Sequence, residues 1–392
     1  MHNGMPVAYF DGPGGTQVPQ PVVDAMADYL LHHNANTHWS YPSSAETDAM
    51  LAGARDAFAA FVGGDANEIS FGNNMTTITF HVARALGREW HAGDEIIVTE
   101  LDHHGNIAPW QALARERGVV LRWLPLDLET YRLRLDKLPE LLNAKTKLLA
   151  IGAASNIIGT VSDVAAAAQL AHAAGALVFV DGVHLAPHVL PDVTALGCDF
   201  FACSAYKFHG PHIGVLWARR NLIERLDVPR LEPAPDSSPE RLETGTQNHE
   251  GIVGGGAAVH WLASLSGESG TLRNRLVAAY AEIHRREAAL FRQLWDALNA
   301  IPGVAIYGPP PGTARTATLS FSLRGVSSEK VAVALTRDAC FVSNGDFYAT
   351  TVAKLLGKEQ EGVVRIGAAC YTTADEIDRV VAGVSRLTSR GG

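Results

Sequence analysis

The sequence predicts an α/β fold: a large domain built on a mostly parallel sheet, followed by a smaller α+β domain. Three observations carry that prediction. Short apolar runs recur between residues 95 and 217, helix-length segments separate them, and the pattern changes character after residue 265. Residues 95–99 read as a strand, and 106–117 as a helix closed by Gly118. Strands follow at 119–124 and 147–152. An alanine-rich helix over 163–174, closed by Gly175, leads into a strand ending at Asp181. Residues 200–203 and 213–217 complete the series. Helices between short strands require both sheet faces to be covered.

Residues 229–239, rich in Pro, Asp and Ser, read as an exposed loop, and 271–299 as one long helix. Strands at 304–307 and 318–322, a helix at 328–337 and a strand-helix unit from 363 onward form the smaller domain. The expected division is an N-terminal arm at 1–18, a large domain at 19–265 and a small domain at 266–392.

Composition narrows the function. A chain of 392 residues that is 47% hydrophobic can build a large core. Its net charge of −9 argues against nucleic acid or an anionic membrane as partner. Four cysteines without CxxC spacing argue against structural zinc and read as free thiols in a reducing compartment. The start of the chain lacks the pattern of a signal peptide, and no apolar run approaches the roughly 18 residues of a membrane span. A cytoplasmic protein without metal is expected.

Two residues then stand out. Asp181 ends an apolar strand, and Lys207 follows 26 residues later in the polar turn Ser204-Ala205-Tyr206-Lys207-Phe208-His209-Gly210-Pro211. Pyridoxal phosphate needs this pair: a lysine amine for a Schiff base with its aldehyde, and a carboxylate that keeps its ring nitrogen protonated. Each alone has an ordinary explanation, a turn cap or a solvated lysine. The cofactor's phosphate calls for hydroxyls and backbone N–H groups at a helix start, and Thr76, with Thr77, precedes an apolar helix pattern. Ser204 is a second hydroxyl candidate. Of the adjacent pair His103 and His104, an imidazole can stack on a pyridine ring; adjacent positions point apart, so they do not chelate. His184 and His188 have helical spacing, but Pro187 interrupts it. Asn156, Asp181 and Ser204 all lie just past strand ends, where ligands of such sheets sit.

With these segments assembled, the chain resembles the NifS-type cysteine desulfurases, within the class V aminotransferase family of fold-type-I pyridoxal phosphate enzymes. The resemblance runs from Tyr9 to Asp378. Asp102 to Trp110 is similar to the family's EHHANIVPW, Ser155 to Thr160 to its SNVLGT, Ser204 to Pro211 to its SGHKLYGP, and Gly245-Thr246 to its AGTPN turn. Arg365 with Tyr371-Thr372-Thr373 is similar to a late Arg…YNT segment, and Asp11 to Thr16 points to a desulfurase-like subgroup. The resemblance implies that Lys207 carries the cofactor and moves the Cα proton. Asp181 would pair with the ring nitrogen and His103 stack on the ring, with His184 standing where the family has a ring-contacting Gln. Thr76, Ser204 and Tyr206 would hold the phosphate. Asn156 and Arg365 would hold the substrate carboxylate. Thr246 would reach across from a second subunit, which implies a homodimer with shared active sites.

One departure matters. Desulfurases carry a sulfur-accepting cysteine in a GHHCA-like loop, and here Tyr348 stands in its place, after Phe347. The intact cofactor set without that thiol leads to the expectation of a lyase or desulfurase-like enzyme. It would act on cysteine or an S-substituted cysteine through a Cα carbanion. Transamination, epimerisation and decarboxylating oxidative deamination of a larger amino acid remain open, as does a non-catalytic partner protein. Trp39 and the pair Phe347-Tyr348 offer aromatic surface either for a larger substrate or for a subunit interface.

Overall fold

The computed structural model describes residues 1–388; residues 389–392, the end of the expected small domain, lie outside the described residues. Seven strands form the main sheet: β1 (Ile69–Gly72), β2 (Glu95–Thr99), β3 (Val120–Leu124), β4 (Thr146–Gly152), β5 (Leu177–Asp181), β6 (Phe200–Ser204) and β7 (Gly214–Ala218). Their spatial order is β1-β7-β6-β5-β4-β2-β3. Pairing from β6 through β3 is parallel, while β7 runs antiparallel to both neighbours. The expected mostly parallel sheet is therefore mixed at one edge.

Successive side chains of a strand point to opposite faces. Leu148 and Ala150 of β4 join the apolar layer under helices Met75–Gly87 and Ala108–Arg117, whereas Leu149 and Ile151 join the opposite layer. That second layer includes helices Pro42–Val62, Val164–Ala173 and His249–Ser264. Burial on both faces is why these strands read as unbroken apolar runs. The expected helix boundaries hold where caps mark them. Asp163 accepts from the Ala166 N–H at 3.1 Å, and Gly118 closes its helix at φ 73°.

A four-stranded antiparallel sheet forms the small domain: β8 (Val304–Tyr307), β9 (Thr318–Leu323), β10 (Ser343–Gly345) and β11 (Val363–Gly367), in the order β8-β9-β11-β10. The long helix Leu272–Asn299 contributes to the apolar cores beside both sheets. Its first half packs Leu276 and Tyr280 into the large core, and its second half packs Phe291 and Leu294 into the small one. A division at 265/266 falls in the connection just before this helix. The N-terminal arm is not loose, because Ala8–Tyr9 pairs in parallel with Cys340–Phe341 of the small domain. No helix among the described residues is long and apolar enough to cross a membrane.

Candidate active site

The carboxyl ends of β1, β2, β4, β5 and β6 lie on one edge of the sheet, and the segments leaving them surround a cavity of about 300 Å³. Thr76, His103, Asn156, Asp181, His184, Ser204, Tyr206 and Lys207 all line it. A wider vestibule of about 720 Å³ opens outward from the same lysine, bounded by His104, Phe347, Tyr348 and Arg365.

Lys207 sits in the connection from β6 to β7. Its Nζ donates to the carbonyls of Pro13 and Gly14 at 2.6 and 2.9 Å, so the N-terminal arm forms one wall of the site. Burial, assisted by the nearby Arg365 cation, lowers this amine to about 8. A nucleophilic amine must be neutral. Cofactor uptake by the apoprotein is therefore expected to speed up about tenfold per pH unit below pH ~8 and to level off above it. Stopped-flow absorbance across pH 6–10 checks this expectation; a plateau reached only near pH 10.5 would contradict it.

Asp181 is 7% exposed, and its carboxylate accepts one hydrogen bond, from the Val183 N–H at 2.9 Å. Burial pushes it up to about 7, with a smaller push from Asp102. A buried carboxylate this poorly satisfied calls for a cationic partner, and a protonated pyridine nitrogen supplies one. Asp102 is buried too, but Thr99, Gly152 and Asn106 all donate to it, at 2.7, 2.8 and 2.7 Å. It anchors the turn that carries His103.

The His103 Nδ1 accepts from the Gly105 N–H at 2.9 Å, which leaves the ring proton on Nε2. Burial and the Lys207 charge lower this imidazole to about 4, so it is neutral near pH 7. A β-carbon on Gly105 would fall 2.8 Å from Thr76 Oγ1 and 2.9 Å from His103 Nδ1; glycine leaves that cradle open. Behind it, the Ser204 Oγ accepts from the Met75 N–H at 2.9 Å and keeps its own proton to donate. Thr76 makes no side-chain hydrogen bond among the described residues. Gly214 lets β7 approach the start of this helix, since a β-carbon there would lie 2.6 Å from the Asn74 backbone. Two hydroxyls, a helix start, a buried carboxylate and a buried amine in one cavity fit pyridoxal phosphate.

Thr77, Trp39 and Thr246 lie outside this cavity, while His184 and Tyr206 line it and are held there by neighbours. Thr77 faces the vestibule and completes a reciprocal cap with Asn74, whose Oδ1 accepts from the Thr77 N–H at 2.9 Å. His184 lines the cavity, but its Nε2 lies 3.1 and 3.0 Å from the hydroxyls of Thr316 and Thr318 in the small domain. Tyr206 stacks on His212, with centroids 4.7 Å apart. Trp39 and Thr246 line neither space. Trp39 is 61% exposed beside His38, whose imidazole lies 3.4 Å from Glu240, and Thr246 lines a groove along the outer face of helix Met75–Gly87.

Asn156 and Arg365 do meet. Arg365 is 3% exposed and donates to the Asn156 carbonyl at 3.0 Å and to Asp11 at 2.8 Å. Its Nε and the Asn156 Oδ1 are buried without partners among the described residues. The Phe347 ring covers the guanidinium at 3.9 Å, and the Asn156 amide donates to the Phe347 carbonyl at 2.9 Å. Phe347 and Tyr348 have φ of 55° and 56°, a left-handed conformation that costs about 1–3 kcal/mol per non-glycine residue. His104 N–H to the Tyr348 carbonyl at 2.7 Å helps to hold it.

None of the four cysteines lines either space. Burial pushes Cys198 and Cys370 up to about 12 and Cys340 to about 11, with Cys203 higher still, so none is poised as a thiolate. No local pattern in the sequence marks His212, Thr316 or Thr318 for the site, nor Pro13 and Gly14 individually. Only the glycine-rich Asp11–Thr16 stretch carried a local signal.

The aminotransferase class-V family model matches residues 8–380. A cysteine desulfurase of Pectobacterium atrosepticum is 34% identical over 98% of this chain and 94% of its own. The apo cysteine desulfurase from Thermococcus onnurineus superposes with a TM-score of 0.89 at 28% identity, covering 98% of this chain and 95% of that one. CsdA, the cysteine desulfurase from Escherichia coli in its S-sulfonic acid form, gives 0.85 at 28% identity with the same coverages.

Proposed function

Because the chain belongs to the class V aminotransferase family of pyridoxal phosphate enzymes, we propose that it is a C–S lyase or desulfurase-like enzyme acting on cysteine or an S-substituted cysteine. The observation that carries this reading is a cavity holding Lys207 and Asp181, with Asn156 and Arg365 at its edge and no cysteine along its walls.

When bound, pyridoxal phosphate supplies an electron sink for negative charge at the substrate Cα. Asp181 would hold the ring nitrogen protonated, and His103, neutral, would lie against the ring. Thr76 and Ser204 would take the phosphate, with Tyr206 and His212 beside them. Arg365, through its unpartnered Nε, and Asn156 would orient the substrate carboxylate, while Phe347 and Tyr348 would wall its entry. Lys207, neutral once deprotonated, would remove the Cα proton. The Cβ–S bond then breaks with its electron pair leaving on sulfur, which takes a proton. With one water consumed, the products are a thiol, pyruvate and ammonium. A departing thiolate needs no enzyme thiol to receive it, whereas persulfide formation does.

Thr77 is left to capping and His184 to an inter-domain contact that orients it at the ring. In a homodimer, as the resemblance implies, Trp39 and Thr246 would serve the partner's site rather than their own. The four unpaired thiols favour a reducing cytoplasm.

Pyruvate and thiol should appear in equal amounts from at least one member of a panel of S-alkyl- and S-aryl-cysteines, in a coupled dehydrogenase assay. Cys370→Ser, which alters the least buried thiol, should leave that rate at the parent level. Absence of pyruvate across the panel, or loss of activity in Cys370→Ser with sulfur retained on the parent protein, would remove the lyase reading.

A further inference from the structure

We propose that Tyr348, with Phe347, selects amino acids whose side chain carries a planar apolar group beyond Cβ, as in an S-aryl- or S-benzyl-type conjugate rather than free cysteine. This rests on the function proposed above and names its substrate class.

Tyr348 leaves 72% of its surface exposed, yet its backbone is tied down. Its N–H donates to Asp346 Oδ1 at 3.1 Å, its carbonyl accepts from His104 at 2.7 Å, and the Ala349 N–H closes on the Asp346 carbonyl at 2.9 Å. The two consecutive left-handed residues follow Gly345 at φ 132°. An exposed aromatic fixed in an unfavourable conformation at the mouth of a cleft marks a contact that another molecule completes.

The position of the rings says what that contact is. The Tyr348 ring lies 5.6 Å from the His103 ring at a 44° tilt, on the vestibule side of the lysine cavity. The Phe347 ring closes over Arg365, the expected carboxylate anchor. A substrate held there by its carboxylate, with Cα near Lys207, directs its side chain into the vestibule. Cysteine has one atom beyond Cβ and leaves Tyr348 in water. A planar group placed further out stacks against both His103 and Tyr348, where offset or edge contacts between rings are favourable.

L-Homophenylalanine and L-2-aminobutyrate test this without any C–S chemistry, since neither can lose a thiol and they differ by one phenyl group. Each is titrated into the cofactor-loaded enzyme, with the visible band of the cofactor giving the dissociation constant. Homophenylalanine should bind at least about tenfold tighter, the range of discrimination an apolar pocket reaches. In Tyr348→Ala the ratio should fall below about threefold, and Tyr348→Phe should restore it. Equal binding of the two to the parent enzyme, no response to either, or a ratio that survives Tyr348→Ala would overturn the proposal. So would dissociation of a dimer to monomers in Tyr348→Ala by sedimentation, because the ring would then belong to a subunit contact. Pyruvate release from S-conjugates judges the lyase reading separately, so either idea can fail alone.

Discussion

Replacing Lys207 by alanine is expected to lower kcat/KM by at least about 10³-fold and to remove the pH-sensitive visible band of the bound cofactor. This amine meets three conditions together. It lines the cavity, burial keeps it near 8, and its two hydrogen bonds, to the Pro13 and Gly14 carbonyls, are ones the neutral amine can release. His103 and His184, which share its cavity, are far weaker bases. His103 lies well below neutral pH, and burial lowers His184 far below its ordinary value. Lys207→Arg separates charge from chemistry, because a guanidinium keeps the cation but does not form a Schiff base near neutral pH. Activity should be lost in both variants while the far-ultraviolet circular dichroism stays that of the parent. Retained activity in Lys207→Arg would mean that the lysine serves only as a cation.

Asp181→Asn carries the second large effect. Loss of the carboxylate removes the group facing the ring nitrogen, and kcat should fall about 10²–10³-fold, the usual cost of deleting one preorganised electrostatic partner. The same variant has a thermodynamic signature. The Asp181 carboxyl is raised from 3.8 to about 7, so the folded apoprotein holds its proton more tightly than the unfolded chain does. The associated stability is complete below pH ~4 and is lost as pH rises through ~7. Asparagine does not titrate. Its melting temperature relative to the parent apoprotein should therefore climb between pH 5 and 8. In the loaded protein a protonated ring nitrogen compensates the carboxylate, and that climb should shrink. Scanning calorimetry on both forms decides: a pH-independent difference would mean that Asp181 is solvated or otherwise paired.

Much of the scaffold was legible because its signals are local. The runs at 148–151 and 178–180 are apolar at every position since each strand is covered on both faces. Gly118 and Gly175 closed their helices as expected, both at positive φ. The mixed edge of the sheet was not legible, because strand direction leaves no mark on periodicity; β7 turns back on β6 through the lysine loop itself. Thr76 and Thr77 show the same limit at finer scale. Adjacent and chemically alike, they part company because the third helical position completes the Asn74 cap and the second does not.

The site divides along the same line. Asp181, Lys207, His103 and Ser204 were identified from residue type and from their places after strands. Contacts across the chain were not. Asp11 pairs with Arg365 across 354 positions, and Thr318 reaches His184 across 134. Trp39 offered aromatic surface for a substrate or for a subunit interface, and aromatic character alone does not separate the two; in the fold it is 61% exposed and lies outside its own chain's cavity.

Residue type and short-range pattern were enough for the alternating strands and helices from 95 to 217, the α/β class, the lysine–aspartate pair and a tyrosine in the loop where the resemblance places a cysteine. Each is a property of a residue or of its near neighbours in the chain. Tertiary structure alone decided which side chains share the cavity, that the N-terminal arm holds Lys207, that Phe347 caps Arg365, and that burial brings the Lys207 amine and the Asp181 carboxyl toward neutrality. Backbone preference and hydrophobic period act over a few residues, whereas desolvation and Coulomb interaction depend on what lies within a few ångströms in space.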